Sequence, residues 1–560
     1  MSTARTSDLW WKNAIVYCLD VETFLDSRGD GFGDFTGLTE RVDYLAGIGV
    51  TCVWLMPFYD SPNRDDGYDV TDYYSVDERL GSLGDFVVFV RTAKDRGIRV
   101  LIDLVVNHTS DRHPWFQAAR RDRDSPFREF YVWRDEPSDE PDAEVVFPDA
   151  EDSIWSYDEV AGQYYLHHFY SHQPDLNIAS PRVREEIAKI AGFWLELGVD
   201  GFRVDAVPYL IETGGISGDV DLDPHGLLKD LRGFISRRKG DAVLLGEVNL
   251  PSQELTAYFG GEQADELQLL FDFPVMQRMY LALARGDARP LAEALNGIPE
   301  VSDECQWATF VRNHDELTLD QLSDDERAEV FAAFGPEPSM QLFGRGLRRR
   351  VPPMLDGDPA RIRLVYSLLF SLPGTPVLFY GEEIGMGENL DIEGRSSVRT
   401  PMQWTTGDTG GFSTADAADL PRPPPSGPYG PEHVSVGAQQ RDPESLLNWM
   451  ERIIRRRRVT PEFGWGLRTA LDAGCDAVLA HRYDWDGRAV VALHNLGADA
   501  VTVQVAIDGG SDFAEAEDLF QQQEEPSGTH ALDGGMLHLS LDGYGYRWLR
   551  LRRHGQAPSP

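Results

Sequence analysis

The chain has 560 residues, 42% of them hydrophobic and 11% aromatic, and sets 93 acidic against 52 basic side chains for a formal net charge of −41. That length exceeds a single core of ordinary size and asks for one large domain with one or two smaller ones. The charge excludes nucleic acid and anionic membrane as partners, no run approaches the roughly 20 apolar residues of a membrane span, and the first residues lack the apolar stretch of a secretory signal, so a cytoplasmic protein is expected.

The first elements alternate. Short apolar runs at Ala14–Asp20 and Thr51–Pro57 flank a stretch of helical periodicity, and LGDFVVFVRTAKDRGI precedes a third run, Arg99–Val106. The four cysteines, Cys18, Cys52, Cys305 and Cys475, sit in such contexts without metal-ligand spacing and read as buried free thiols. Near-continuous apolar strands between amphipathic helices imply parallel strands covered on both faces. From Pro181 the alternation resumes through Gly201–Ala206, AVLLGEV, ELQLLFDF, QWATFVRN and PVLFYGEE. Eight such units close most economically as a (β/α)8 TIM barrel.

Two segments break the rhythm. About seventy residues, 107–179, separate the third strand from its next helix, and a loop of that length implies a small inserted domain on the active face. A charged, partly helical insertion is expected at about 318–359. The barrel therefore takes residues 1–106 and 180–462. From residue 463 the pattern turns to period two, predicting a C-terminal antiparallel β-sandwich domain to residue 553, with a tail at 554–560.

Charged residues gather where these strands end, which is where barrels of this kind place their active sites. The third strand presents Asp103, Asn107 and His108, the fourth Arg203 and Asp205, the fifth Glu247, and the seventh Asn313, His314 and Asp315. Arg203 and Asp205 are two apart on a strand and share a face. An arginine there favours an ionised carboxylate, as a nucleophile requires. Any one of these is commonplace as a salt bridge, but three acids, two histidines and an arginine on one rim form a site. Neighbouring strands lie about 4.8 Å apart, so Asp205 and Glu247 meet the roughly 5 Å carboxylate spacing of retaining glycoside chemistry. Asp205 is then the nucleophile, Glu247 the acid/base, and Asp315 a holder of sugar hydroxyls.

The stretches DLVVNH, GFRVDAV, GEV and FVRNHDE resemble the four short regions of the α-amylase superfamily of retaining glycoside hydrolases, in order, in spacing and in the insertion after the third strand. The resemblance implies the same roles for Asp205, Glu247 and Asp315, and places His108, Arg203 and His314 around the attacked glucose. RDDGYDV adds Asp65 and Tyr68, and VRTPMQW adds Arg399. Tyr68, Phe169 and Trp404 stand by motif residues as candidates for stacking on sugar faces, whereas Trp10, Trp11, Trp54, Trp194 and Trp548 read as core. The longer motifs, from about Trp10 to Phe463, resemble the branch of the family that interconverts maltose and trehalose.

Two departures and one cation follow from the resemblance. Glu22 replaces an arginine near the barrel, and Arg28 replaces an asparagine in a cation loop with Asp26, Asp30 and Asp34, where a guanidinium stands to take the metal's place. A structural Ca²⁺ tying the inserted domain to the barrel is implied at Asn107, Asp175, the carbonyls of Tyr209 and Leu210, and Glu212; these are the hard oxygen donors that Ca²⁺ prefers. No organic cofactor is implied. The expected partner is a small α-glucoside, and the acidic β-domain offers a surface for a homo-oligomer. Three readings remain: an isomerase of α-linked glucose disaccharides, an α-glucosidase or transglucosidase on the same scaffold, and a catalytically inactive amylase-like binding protein.

Overall fold

A computed structural model describes residues 9–137, 145–211, 223–507, 509, 512–520 and 528–553. Eight fully or almost fully buried strands, β1 (Val16–Leu19), β2 (Cys52–Leu55), β3 (Arg99–Leu104), β4 (Gly201–Val204), β5 (Val243–Gly246), β6 (Leu269–Phe271), β7 (Gln306–Phe310) and β8 (Thr375–Phe379), close into a parallel barrel. Each strand pairs with its neighbour in the chain, and β1 closes on β8. The expected barrel is present strand for strand.

Several strands end a residue or two earlier than their apolar runs do. Arg99–Val106 stops pairing at Leu104, and Gly201–Ala206 at Val204. Beyond Asp205, Ala206 adopts a left-handed conformation (φ 47) that turns the chain out of the strand into the short helix Val207–Leu210. A non-glycine residue held there costs energy that surrounding contacts must offset, as is common at functional turns. At the other end of β4, a Cβ on Gly201 would lie 2.1 Å from the carbonyl oxygen of Val243, so only glycine admits β5 at this distance.

Side-chain caps and prolines set the helix starts. Ser82 and Asp85 form a capping box before Leu83–Asp95, and Asp358 caps the helix Pro359–Ser371. Pro181 opens Pro181–Glu196 at a position where a missing N–H costs nothing. The barrel's core runs into the helices through Trp194, which meets Phe58 and Phe86 edge-on at 5.2 and 5.0 Å.

The insertion after β3 is a small unit, with helix Pro114–Arg121 and the strands Trp133–Arg134, Trp155–Asp158 and Gln163–Leu166 in one sheet. It is laced to the barrel rim by Leu176 N–H to Asn107 O at 2.8 Å and Thr109 N–H to Pro174 O at 3.1 Å. The second insertion holds helix Asp324–Phe334 and a three-stranded sheet built on Leu317–Thr318.

Eight antiparallel strands follow: β9 (Leu467–Leu471), β10 (Val478–Trp485), β11 (Arg488–Asn495), β12 (Val501–Ala506), β13 (Phe513–Asp518), β14 (Thr529–Asp533), β15 (Met536–Leu541) and β16 (Tyr546–Arg553). They form one hydrogen-bonded series, β9-β10-β11-β16-β13-β14-β15-β12. Val491, Val503, Leu539 and Leu549 share one apolar core, so the series folds over on itself. Tyr483 OH to Ser371 O at 2.8 Å and Trp548 Nε1 to Ser367 Oγ at 3.1 Å join it to the barrel. All four cysteines are free. No helix among the described residues is long and apolar enough to cross a membrane. The expected tail, 554–560, lies outside the described residues.

Candidate active site

The site grows from a cross-strand pair. In the β3–β4 register Asp103 faces Arg203, and in the β4–β5 register Val204 faces Gly246, which brings Asp205 and Glu247 side by side beyond the strand ends. The guanidinium of Arg203, 1% exposed, donates from Nη1 to Asp103 Oδ1 at 2.5 Å and to Asp205, and its Nη2 forms an ion pair with Glu247 Oε2 at 2.7 Å. One guanidinium thus brings the Asp205 and Glu247 carboxylates to its two terminal nitrogens, side by side as retaining glycoside chemistry requires. The Ala206 N–H also reaches Glu247 Oε2 at 3.2 Å. Trp54, read from sequence as core alone, donates its indole N–H to Asp103 Oδ2 at 2.8 Å and so fixes Arg203's inner partner.

This sharing corrects the simple picture of an arginine that keeps Asp205 ionised. Arg203 divides its charge among three acids. Burial, with Asp103 and Asp315 adding to it, raises the Asp205 carboxyl to about 7 against the pull of Arg203. Burial raises Glu247 to about 7 as well, helped by the charges of Asp205 and Asp315. Two acids this close titrate as a pair and between them hold one proton around neutrality. Asp205 makes the tighter contact with Arg203, which favours the ionised form there and the proton on Glu247. That division is the one an attacking carboxylate and a proton donor need.

Across the rim, Asp315 meets His314 Nε2 at 3.1 Å, Arg395 Nη1 at 2.6 Å and Arg399 Nη2 at 2.8 Å. Burial lowers His314 to about 4 and leaves it neutral. Burial would raise Asp315, but His314, Arg395 and Arg399 overcome this and hold it well below the usual carboxylate range; with His314 neutral, the two arginines are its lasting cations. Tyr68 joins its hydroxyl to His314 Nε2 at 2.8 Å with the two rings stacked. His108, lowered by burial, sits with Nε2 3.2 Å from the Tyr68 carbonyl oxygen, and Phe169 packs beside it at 5.1 Å. Asp65 accepts from Gln173 at 2.9 Å and from Arg395 at 2.9 Å.

Arg395 was not found from sequence. It bridges Asp65 and Asp315 and lies 5.1 Å over the ring of Phe147 from the inserted domain. The 3-10 turn Gly394–Val398 that carries it has no periodicity to read, and its one signal was its place four residues before Arg399. Arg399, expected to face the sugar, instead lies behind Asp315, 1% exposed, with Nε on the His314 carbonyl at 2.8 Å. Arg395→Gln is expected to lower kcat/KM by roughly 10- to 100-fold, the worth of charge-assisted hydrogen bonds, measured against the wild type on the same α-glucoside.

The cavity above these residues holds about 460 Å³, at the lower end of the range of small-molecule sites. Glu247, Asp315 and Arg395 share its lining with Phe147, Phe169 and Tyr209. Asp205, with 8% of its side chain exposed against 23% for Glu247, is set deeper. One carboxylate set deep and a second at the wall would suit a sugar bound end-on in a pocket rather than along a groove.

Trp404 is no sugar platform: it is 4% exposed, donates to Phe24 O at 2.7 Å, and packs edge-on to Phe24 and Tyr44 at 5.1 Å each. In the Asp26–Asp34 loop the guanidinium of Arg28 lies 3.2 Å from Asp30 and 3.6 Å from Asp34, while Asp26 accepts the N–H groups of Arg28, Gly29 and Gly31. The arginine thus stands among the carboxylates where a cation was in question. Of the donors expected for Ca²⁺, Asn107 Nδ2 reaches Asp175 Oδ1 at 3.1 Å, and Asp175 is also held by His168 Nδ1. Tyr209 lies against His168 and Phe169, at 5.4 and 5.3 Å, and Leu210 follows it in the same short helix. Glu212 lies outside the described residues. The oxygens of this set suit Ca²⁺ in kind, although His168 and Asn107 already satisfy part of Asp175.

Residues 20–333 and 348–466 match the α-amylase catalytic domain family, and residues 487–550 match the sucrose hydrolase-like C-terminal domain. A trehalose synthase of Pimelobacter sp. (strain R48) is 41% identical over 559 residues, covering 97% of this chain and 96% of that protein. A trehalose synthase/amylase of Mycobacterium tuberculosis is 41% identical over 557 residues, covering 98% and 92%. Among solved structures, the trehalulose synthase of Pseudomonas mesoacidophila MX-45 superposes with a TM-score of 0.77 at 27% identity, covering 97% of this chain and 99% of that one.

Proposed function

The chain belongs to the α-amylase family of glycosidases and transglucosylases, and from that premise we propose that it interconverts maltose and trehalose through a covalent glucosyl-enzyme on Asp205. One observation carries this reading: Arg203 holds Asp205 and Glu247 on its two nitrogens beneath a cavity of disaccharide size. Asp205 attacks the anomeric carbon while Glu247 protonates the departing oxygen. The freed glucose then turns in place, and Glu247, now a carboxylate, deprotonates the hydroxyl that attacks C1 from the same side. Retention follows from two inversions.

Isomerisation requires that water stay out while the glucosyl-enzyme waits. The walls from the inserted domain, Phe147 and Phe169, and the lid-like Arg395 bridge favour that exclusion. The test is to incubate the protein separately with maltose, trehalose and sucrose and to resolve the products by chromatography. Interconversion of maltose and trehalose with little free glucose is the expected result. Glucose as the main product would make it a hydrolase, the second reading, which the printed name of the mycobacterial relative also accommodates.

A structural Ca²⁺ at Asn107, Asp175 and the carbonyls of Tyr209 and Leu210 belongs to the same proposal, as a pin between inserted domain and barrel. A chelator is then expected to lower the unfolding temperature by a few degrees, and added Ca²⁺ to restore it. An unchanged unfolding temperature would leave the tether to hydrogen bonds alone, those of Asn107, Asp175 and His168 with the backbone bonds of Leu176 and Thr109. A reducing, cytoplasmic setting accords with four unpaired thiols.

A further inference from the structure

A second arginine, remote from the motifs, is wired into the pocket. Arg422 lies on the loop between the Arg399 segment and the last barrel helix, with 12% of its side chain exposed. Its guanidinium meets both oxygens of Asp66, and also reaches Asp20 Oδ2 at 3.5 Å, Glu22 Oε1 at 3.4 Å and the carbonyl oxygen of Arg399 at 3.4 Å. Asp66, next to the pocket residue Asp65, takes a second guanidinium nitrogen, Arg399 Nη1, at 2.5 Å. The other terminal nitrogen of Arg399 goes to Asp315 at 2.8 Å. A continuous chain of ion pairs therefore runs Arg422–Asp66–Arg399–Asp315.

The three acids around Arg422 do not compete equally. Burial raises Asp20 to about 7 and raises Glu22, which also has Arg79 at 3.1 Å and Asn63 at 3.1 Å. Burial acts on Asp66 too, but Arg422 and Arg399 overcome it and hold that carboxyl well below its ordinary value. Asp66 is thus the permanent anion that claims Arg422.

We propose that Arg422 is a positioning residue for the reaction: by occupying Asp66 it restricts Arg399 to one nitrogen there and leaves the other on Asp315. A carboxylate and a guanidinium prefer to meet through two parallel hydrogen bonds. With Arg422 absent, both oxygens of Asp66 become available to Arg399, whose two-point pairing draws it away from Asp315. The third carboxylate then loses a fixed partner, and the sugar hydroxyls it holds lose their reference. Glu22, by contrast, is a partner of Arg422 that has no route to the pocket through Arg399. The inference rests on the reading of Asp315 as a substrate-holding carboxylate.

The decisive comparison is of Arg422→Gln with the double variant Glu22→Gln/Arg422→Gln, by thermal unfolding and by kinetics on maltose, trehalose and p-nitrophenyl α-glucoside. Arg422→Gln is expected to lower kcat/KM by about tenfold or more, as loss of a charge-assisted contact does, and to lower the unfolding temperature. Removing Glu22 as well takes away a buried acid left with Arg79 as its one cation among the described residues, so the unfolding temperature is expected to recover while kcat/KM stays low. Recovery of both together, or a single variant within about twofold of wild type, would overturn the proposal. Should the glutamine variant not fold, Arg422→Lys serves, since a lysine keeps the charge but not the two-point grip. It is expected to lose about threefold or more, and an unchanged kcat/KM overturns the proposal equally. A wild type inert on all three glucosides would sink the active-site reading itself, whatever the ratio between variants.

Discussion

Asp205→Ala is expected to lower kcat/KM on every α-glucoside by about 10⁴-fold or more, the scale on which removal of a catalytic nucleophile acts. Asp205 lies deeper than Glu247 and Asp315, placed by the left-handed turn at Ala206 and gripped by Arg203. Nothing beside it can replace the attack: Glu247 is on the wall and Asp315 across the rim. The same change tests its electrostatics. In the folded protein burial raises the Asp205 carboxyl above its unfolded value of about 3.9. Such a group binds protons more readily folded than unfolded, so its presence costs stability increasingly as pH rises above about 4. The alanine variant is therefore expected to gain unfolding temperature relative to wild type at pH 8, and to gain less at pH 4. Loss of activity with an equal loss of stability at both pH values would mean that Asp205 is a structural partner of Arg203 and not the attacking group.

The barrel was legible because eight apolar runs of strand length alternate with amphipathic helices, and the site because its acids follow those runs directly. Asp103, His108, Asp205, Glu247 and Asp315 each lie at or just beyond a strand end, where one fold rule fixes their common rim. What could not be read depends on register and reach. Arg203 and Asp205 read as a pair from their spacing, but the Asp103 opposite Arg203 depends on the β3–β4 register, which no local pattern states. Arg395 and Arg422 sit on irregular loops, and their guanidinium groups reach across to acids some 330 and 356 positions away in the chain, Asp65 and Asp66. Trp404 shows the converse hazard. It stands five residues from Arg399, yet the chain turns between them, and the indole ends in a core of Phe24, Tyr44 and Arg41.

Glu247→Gln separates the proton donor from the nucleophile. Glutamine keeps the contacts to Arg203 and the Ala206 N–H in shape but has no proton to give. On maltose or trehalose, whose departing sugar oxygen needs protonation, a fall of about 10³-fold is expected, within the range for general acid catalysis. On α-glucosyl fluoride, whose leaving group departs as an anion, the first step should fall by less than about tenfold. The pH profile carries the same distinction. Burial and the charges of Asp205 and Asp315 raise Glu247 to about 7, so its acid form is populated below that pH and drains away above it. Wild type should therefore lose kcat/KM for disaccharides on an alkaline limb near pH 7, and the glutamine variant acting on the fluoride should show no such limb. Equal loss on both substrates would deny Glu247 the role of donor. It would shift attention to Asp315, but two arginines hold that carboxyl well below the usual range, and a group so firmly ionised has no proton to lend at neutral pH. The arrangement of cations supports that division of roles: one arginine shared among Asp103, Asp205 and Glu247 leaves room for a proton on Glu247, whereas two arginines on Asp315 leave none.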